Sequence, residues 1–455
     1  MAEITQRPEY HFAPRKGWIN DPNGLYYLDG RWHILYQYNA EDTVWGSPSI
    51  GHAVTSDFVH YDEVDEALIP HEDYERDPHG GCFSGSVIRK DDKLCFIYTG
   101  SVIKDGRLKQ TQNLVFSEDG FKFHRYENNP VIATPPEGAD KNFRDPKVFR
   151  IDGSYYMVTG CRVRNDVAVF LYSSVNLEKW NYQGILYKGN REDGTLAECP
   201  DFYQLDGTSW MLTFSPENHP RGIRSLGIIG SFDSEKLIFT SEKKIRLDYG
   251  LDYYARQTYA FSGRRIVLSW LNQWPWMSTF QNHGETEQEG WRGSLSMPRE
   301  EKLVNGVRRE YPVEEITSRF ITAEERDAVV KQDNSVEILP PSASFHFSLS
   351  IDKHGSNSGE VTVECGVFRF MVNYERKYIA VIPDGKNSSL IPISSDDTTI
   401  DFFFDNSILE LFVNKGEASA SWIFTRRTEK PVIILSVNQK QTSARYSLSY
   451  IKEEA

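Results

Sequence analysis

Several features that would place this chain in a familiar class are missing from it. Its 455 residues hold no apolar run approaching the ~18 that a membrane-crossing helix needs. The stretch from Met1 to Arg15 is polar and has no apolar segment of the secretory kind, which sets the expectation of a cytoplasmic protein. Cysteine is scarce: Cys82, Cys95, Cys161, Cys199 and Cys365 form an odd set without a CxxC pair. That reads as reduced thiols, not as a disulfide framework or a zinc site. Positive charge is in deficit, 51 Lys and Arg against 65 Asp and Glu, for a formal charge of −14. Phosphate backbones and anionic lipids recruit basic surfaces, so neither a nucleic acid nor a membrane is an expected partner. There is no GxSxG elbow, no P-loop and no HExxH pair. The acidic and histidine-bearing run from His71 to His79 reads as a solvated loop, and neither a metal nor a cofactor is expected.

Aromatic residues, by contrast, are plentiful, with 24 Tyr, 26 Phe and 10 Trp. They favour strands and suit a surface on which sugar rings stack. One pattern recurs five times: an apolar run, a short polar turn and a second apolar run. The copies are GLYYLDGRWHILYQY (24–38), SGSVIRKDDKLCFIYTG (84–100), DPKVFRIDGSYYMVTG (145–160), DFYQLDGTSWMLTF (201–214) and YARQTYAFSGRRIVLSW (254–270). Asp-Gly between β-rich runs is the strongest short hairpin signal. The turns begin at Asp29, Asp91, Asp152, Asp206 and Ser262, 54 to 62 residues apart. That spacing fits a four-stranded sheet with loops, and five such units suggest an all-β chain built on a five-bladed β-propeller. Five unrelated hairpins in a large sandwich are the alternative.

In a propeller the innermost strands line a central channel. The residues seven or eight positions before the turns should therefore converge: Asp21, Ser84, Asp145, Glu198 and Tyr254. Residues 1–300 are read as the propeller. The charged stretch VEEITSRFITAEERDAVVKQ (313–332) has helix-like spacing, so 301–342 is read as a partly helical linker. Short strands with turn signals between them make 343–455 a β-sandwich. It is expected to be structural, or to bind carbohydrate or a second copy of the chain.

Two carboxylates facing one cleft are the usual equipment for breaking a glycosidic bond, one as nucleophile or base and the other as acid. Each acid also has an ordinary reading. Asp21, in WINDPNG, fits an Asx-type turn. Asp145, next to Arg144, fits a surface ion pair. Glu198, in ECPD, fits a solvated loop. The shared repeat position is what favours a joint role for the three.

At these residues the chain resembles glycoside hydrolase family 32, the invertases and other β-fructofuranosidases. WINDPNG (18–24), LYQYN (35–39), WG (45–46) with GHAVTSDFVHY (51–61), FSGS (83–86), FRDP (143–146), ECPDF (198–202), DYGLDYYA (248–255), GWRGSLSMPRE (290–300) and DNSILELFVNKGE (405–417) follow in the family's order. The resemblance implies propeller plus sandwich. It implies that Asp21 is the nucleophile toward a fructosyl carbon, that Glu198 is the acid and base, and that Asp145 holds fructose hydroxyls and stabilises the transition state. Asn20, Gln37, Trp45, Phe83, Ser84, Arg144, Tyr254 and Trp274 match substrate-contact positions, and Cys199 adjoins the acid. The implied activity is retaining hydrolysis of sucrose, sucrose 6-phosphate or short fructo-oligosaccharides. Transfer of fructose to another sugar, and non-catalytic glycan binding, are the alternatives. Arg162, Arg164, Arg221 and Arg224 are the loop cations available for a phosphate, or are solvated surface charge.

Overall fold

The computed structural model describes residues 6–277, 280, 284–352, 360–384, 386–394, 398–424 and 431–452. They form an all-β chain of seven sheets. Five small sheets occupy residues 17–312, and each begins with a strand that lies deep in the molecule: Gly17–Leu28, Gly81–Lys90, Phe143–Ile151, Leu196–Gln204 and Tyr253–Phe261. In the first four sheets, successive strands pair antiparallel in chain order. Each opening strand packs against the opening strand of the next sheet, and the fifth packs against the first. The first sheet also takes a late strand, Trp291–Arg292, which runs parallel to Gly17–Leu28.

Local chemistry sets the hairpins. Asp29-Gly30, Asp152-Gly153 and Ser262-Gly263 all have positive φ, the left-handed pair that a two-residue hairpin turn requires. The turn expected at Asp206 is longer. The Leu205 and Asp206 N–H groups both reach the Ser209 carbonyl, and Asp206 Oδ1 accepts the N–H groups of Thr208 and Ser209 at 2.8 and 2.6 Å. An Asx side chain there replaces the left-handed pair.

The segment 301–342 differs from its reading as a partly helical linker. Strands Arg299–Val304 and Val307–Pro312 form a hairpin that completes the fifth sheet. Helix is confined to the single turn Glu314–Thr317, and Phe320–Lys331 is a strand at the edge of a larger sheet. An edge strand exposes most of its side chains, so the two-residue alternation that marks a strand is blurred by charge on both faces.

The rest of the chain forms two six-stranded sheets. One contains Ser344–Asp352, Thr398–Asp405 and Ile408–Val413; the other contains Glu360–Cys365, Phe368–Asn373 and Tyr378–Pro383. They share one apolar core that includes Phe345, Phe347, Val363, Phe370, Ile379 and Phe402. Among the described residues no helix is long and apolar enough to cross a membrane.

A seam of buried ions joins the small sheets to the large ones. Arg299, fully buried, donates to Glu410 Oε2 at 2.8 Å, to Ser421 Oγ at 2.7 Å and to Ser419 Oγ at 3.0 Å. Asp248 accepts from the Ser421 N–H at 3.0 Å. At the N-terminal end His11 sits between Asp405 (2.8 Å to Nδ1) and Glu410 (3.3 Å to Nε2). Burial alone disfavours its cation, but the two carboxylates outweigh burial and lift its pKa from 6.5 to about 9.

The folded-state value lies above the unfolded one, so this stabilisation is complete below about pH 6.5 and is lost as pH rises through 9. We expect His11→Ala to cost about 3 kcal/mol at pH 7, because two buried carboxylates lose their shared partner. The thermal midpoint should drop more at pH 7 than at pH 10, and a difference that does not change with pH would contradict the ion-pair account.

Candidate active site

The opening strands are all interrupted near one end. Pairing jumps from Ile19–Tyr38 to Pro22–Tyr36, and from Phe83–Thr99 to Gly85–Tyr98. It jumps likewise from Arg144–Gly160 to Lys147–Val158, from Glu198–Ser215 to Asp201–Thr213, and from Tyr254–Trp270 to Gln257–Leu268. Such bulges turn adjacent side chains out of strict alternation and re-aim them. In the third, fourth and fifth sheets the first bulged residue has positive φ: Asp145 at 63°, Cys199 at 48° and Ala255 at 55°. Left-handed backbone at a residue with a Cβ costs about 1–2 kcal/mol and is over-represented at functional sites.

This register corrects one expectation. Glu198 is equivalent to Arg144 and Tyr254, while Cys199 is the residue equivalent to Asp145 and Ala255. Asp145 and Glu198 therefore come from two adjacent positions of the repeat. A count of seven or eight from the turn spans two positions: at eight it lands on Glu198 and Tyr254, one residue before the equivalents of Asp145, whereas at seven it lands on Cys199 and Ala255.

Asp21, Asp145 and Glu198 nevertheless line one open cavity of about 620 Å³, together with Asn20, Gln37, Trp45, Phe83, Arg144 and Trp274. Ser84 and Tyr254 reach it through the acids. Ser84 Oγ donates to Asp21 Oδ2 at 2.6 Å, and the Tyr254 hydroxyl donates to Glu198 Oε2. Asp21 Oδ2 also accepts from Cys199 Sγ at 3.3 Å and Gln37 Nε2 at 3.4 Å, whereas among the described residues Oδ1 accepts only from Asn20 Nδ2 at 3.1 Å. Trp18 Nε1 fixes that Asn20 by donating to its Oδ1 at 2.9 Å. Arg144 donates to Glu198 Oε1 at 2.7 Å and to Asn142 Oδ1 at 2.8 Å. The Cys199 N–H donates to Asp145 Oδ2 at 2.8 Å, and the Asp145 N–H to Thr99 Oγ1 at 3.0 Å.

Burial pushes the Asp21 carboxyl up, the Glu198 charge adds to the rise, and the donors Ser84, Asn20 and Cys199 oppose it. Asp145 is also raised, first by burial and then by the Asp21 and Glu198 charges, with Arg144 pulling the other way. Donor atoms of Asp21, Asp145 and Cys199 lie within 4.8 Å of one another, close enough for a metal set. Burial and the three acids, however, hold the Cys199 thiol well above its usual pKa, so it serves as a hydrogen-bond donor and not as a thiolate ligand.

The remaining wall was not legible from the repeat. Val44, His79, Ser101, Leu108, Gln110, Glu217, Pro275 and Trp276 line the same cavity. Glu217 and Gln110 belong to strands Trp210–Glu217 and Arg107–Ser117, so opening-strand arithmetic could not find them. The four arginines expected in loops do not line it, and Arg162 lies on the strand Ser154–Val163. Arg162 donates to Glu217 Oε2 at 3.1 Å, Arg164 and Arg221 are exposed, and Arg224 is buried.

Residues 11–311 match the model of the glycosyl hydrolases family 32 N-terminal domain. The chain is 33% identical over 448 residues to a raffinose invertase of Escherichia coli, covering 92% of this chain and 89% of that one. It is 32% identical over 450 residues to a sucrose-6-phosphate hydrolase of the same organism, with the same coverage. A GH32 beta-fructofuranosidase of Bombyx mori superposes with a TM-score of 0.84 at 28% identity, over 98% of this chain and 94% of that one.

All five cysteines are buried and unpaired, and burial raises the pKa of each thiol. At neutral pH a thiol-specific reagent should therefore label none of them in the native protein and all five after unfolding. Rapid labelling of Cys199 in the folded protein would show that its thiol is not committed to Asp21.

Proposed function

The chain belongs to glycosyl hydrolase family 32, and from that membership we propose that it releases fructose from the non-reducing end of β-fructofuranosides of the sucrose type, with retention at the anomeric carbon. The observation that carries this reading is the pair Asp21 and Glu198 on one cavity wall, each held by donors that leave part of its carboxyl facing the opening. The supporting scaffold is read as a five-bladed propeller over residues 17–312 followed by a two-sheet sandwich. The cyclic packing of the five opening strands and the shared core of the two large sheets support it.

In the first step Asp21 attacks C2 of the fructosyl unit. The bond from C2 to the leaving oxygen breaks, and Glu198 gives that oxygen its proton. Three donors already occupy Asp21 Oδ2, so Oδ1, with one donor, is the attacking atom. In the second step water adds to C2, Glu198 takes the water's proton, and the ester to Asp21 breaks. A retaining pair acts across about 5–5.5 Å. Arg144 on one oxygen of Glu198 and Tyr254 on the other keep the carboxyl in one orientation through both steps. Asp145, on its strained bulge, is placed to accept hydroxyls of the fructosyl unit, and its charge favours the oxocarbenium-like transition state.

Asp21→Ala should lower sucrose turnover by about 10⁴-fold or more, as removal of a nucleophile does elsewhere. Glu198→Ala should cost about 10²–10⁴-fold, and less on an aryl fructoside whose leaving group needs no proton. Near-normal sucrose hydrolysis by either variant would reject its role. Ser84→Ala removes a donor to the ionised form of Asp21 and so raises its pKa further. The acid limb of kcat/KM should then move to higher pH, and a limb that stays put or moves down would count against Asp21 as the group that must be ionised.

A further inference from the structure

We propose that the outer half of the cavity is built for an uncharged sugar as leaving group, with Glu217 the residue that turns a phosphorylated one away. The inference rests on the fructoside-hydrolase reading and names the substrate class within it.

Beyond the three acids the cavity wall has two textures. Val44, Leu108 and Trp276 make it apolar, and Trp276 is 43% exposed, so its indole is available to the apolar face of a sugar ring. Glu217 makes it acidic. Its Oε2 accepts from Arg162 Nη2 and Thr195 Oγ1, both at 3.1 Å, while among the described residues no donor reaches Oε1. A neutral sugar can donate a hydroxyl to that oxygen.

A phosphate monoester brings about −1.5 to −2 of charge near pH 7. In this cavity it would meet four carboxyl groups, those of Asp21, Asp145, Glu198 and Glu217, of which Glu198 carries the proton for the leaving oxygen. Among the described lining residues Arg144 is the one guanidinium, and its charge is already paired with Glu198, with a further N–H given to Asn142. His79 is exposed, and its own neighbour Asp77 accepts its backbone N–H at 2.8 Å. Arg162, which reaches the wall at Glu217, is committed to that carboxylate. Repulsion between like charges in a partly desolvated hollow exceeds its value in water, so the acidic wall discriminates by charge and the indole by shape.

The test compares kcat/KM for sucrose and sucrose 6-phosphate at low ionic strength, in the wild type and in Glu217→Gln. A like-charge pair ~4 Å apart is worth about fivefold at the dielectric of water and roughly a thousandfold at ~20, and Arg162 offsets part of the Glu217 charge, so the wild type should prefer sucrose by about tenfold or more. Added salt should narrow the ratio. Glu217→Gln should also narrow it, by raising the value for sucrose 6-phosphate relative to sucrose. Equal or better use of sucrose 6-phosphate by the wild type overturns the proposal, whether or not the variant folds. A folded Glu217→Gln protein with an unchanged ratio removes Glu217 as the determinant. Cleavage of neither sugar overturns the fructoside reading, and this inference with it.

Discussion

Three carboxylates share the floor of one hollow, and like charges taken from water raise one another's proton affinity unless donors intervene. Much of the local architecture answers that constraint. Asp21 collects Ser84, Asn20, Gln37 and Cys199; Asp145 collects a backbone N–H; Glu198 collects a guanidinium and a phenol. Several of these donors exist only because the opening strands bulge. The Cys199 N–H that serves Asp145, and the thiol that serves Asp21, both come from a residue at φ 48°. The strain in the backbone and the solvation of the acids are thus one design problem, solved at the same residues and held in place by the packed sheets around them.

The sheets are held in turn by ions far from the floor. Arg299 and Glu410 join the hairpin that completes the fifth sheet to the large sheets, and His11 joins the N-terminal segment to Asp405. A physical line runs from this seam to the floor. The late strand Trp291–Arg292 lies beside the opening strand, and the Arg292 guanidinium sits 5.2 Å over the Trp18 ring. Trp18 fixes Asn20, and Asn20 donates to Asp21. Buried ion pairs add little net stability over apolar packing, yet breaking one is costly. Their use here is to fix which surfaces meet.

The hairpins were legible because Asp-Gly pairs carry their own backbone signal, as at Asp29 and Asp152, and the gathering of Asp21, Asp145 and Glu198 followed from counting repeats. The exact register was not, since a bulge leaves no mark in apolar periodicity and a count of seven or eight from the turn does not separate two adjacent positions. Nor was the strand Phe320–Lys331, where edge exposure erases alternation. Asp405 and Glu410 stood out only as part of a C-terminal sequence box. Their partners His11 and Arg299 lie hundreds of residues or a whole sheet away, and tertiary ion pairs have no local signature.

A division of labour follows between floor and wall. Each acid on the floor is held by neighbours whose own positions are fixed by bulges and aromatic packing, so a change there disturbs several bonds at once. Glu217, Gln110 and Trp276 stand on later strands and a loop. A substitution at Glu217 or Trp276 alters what is held outside the scissile bond, whereas Gln110 also accepts the Phe143 N–H beside Arg144. Binding energy applied at that wall reaches the reaction only through placement of the leaving group. The chemistry is therefore constrained by the burial of like charges, while preference among sugars is set by residues that carry no such constraint.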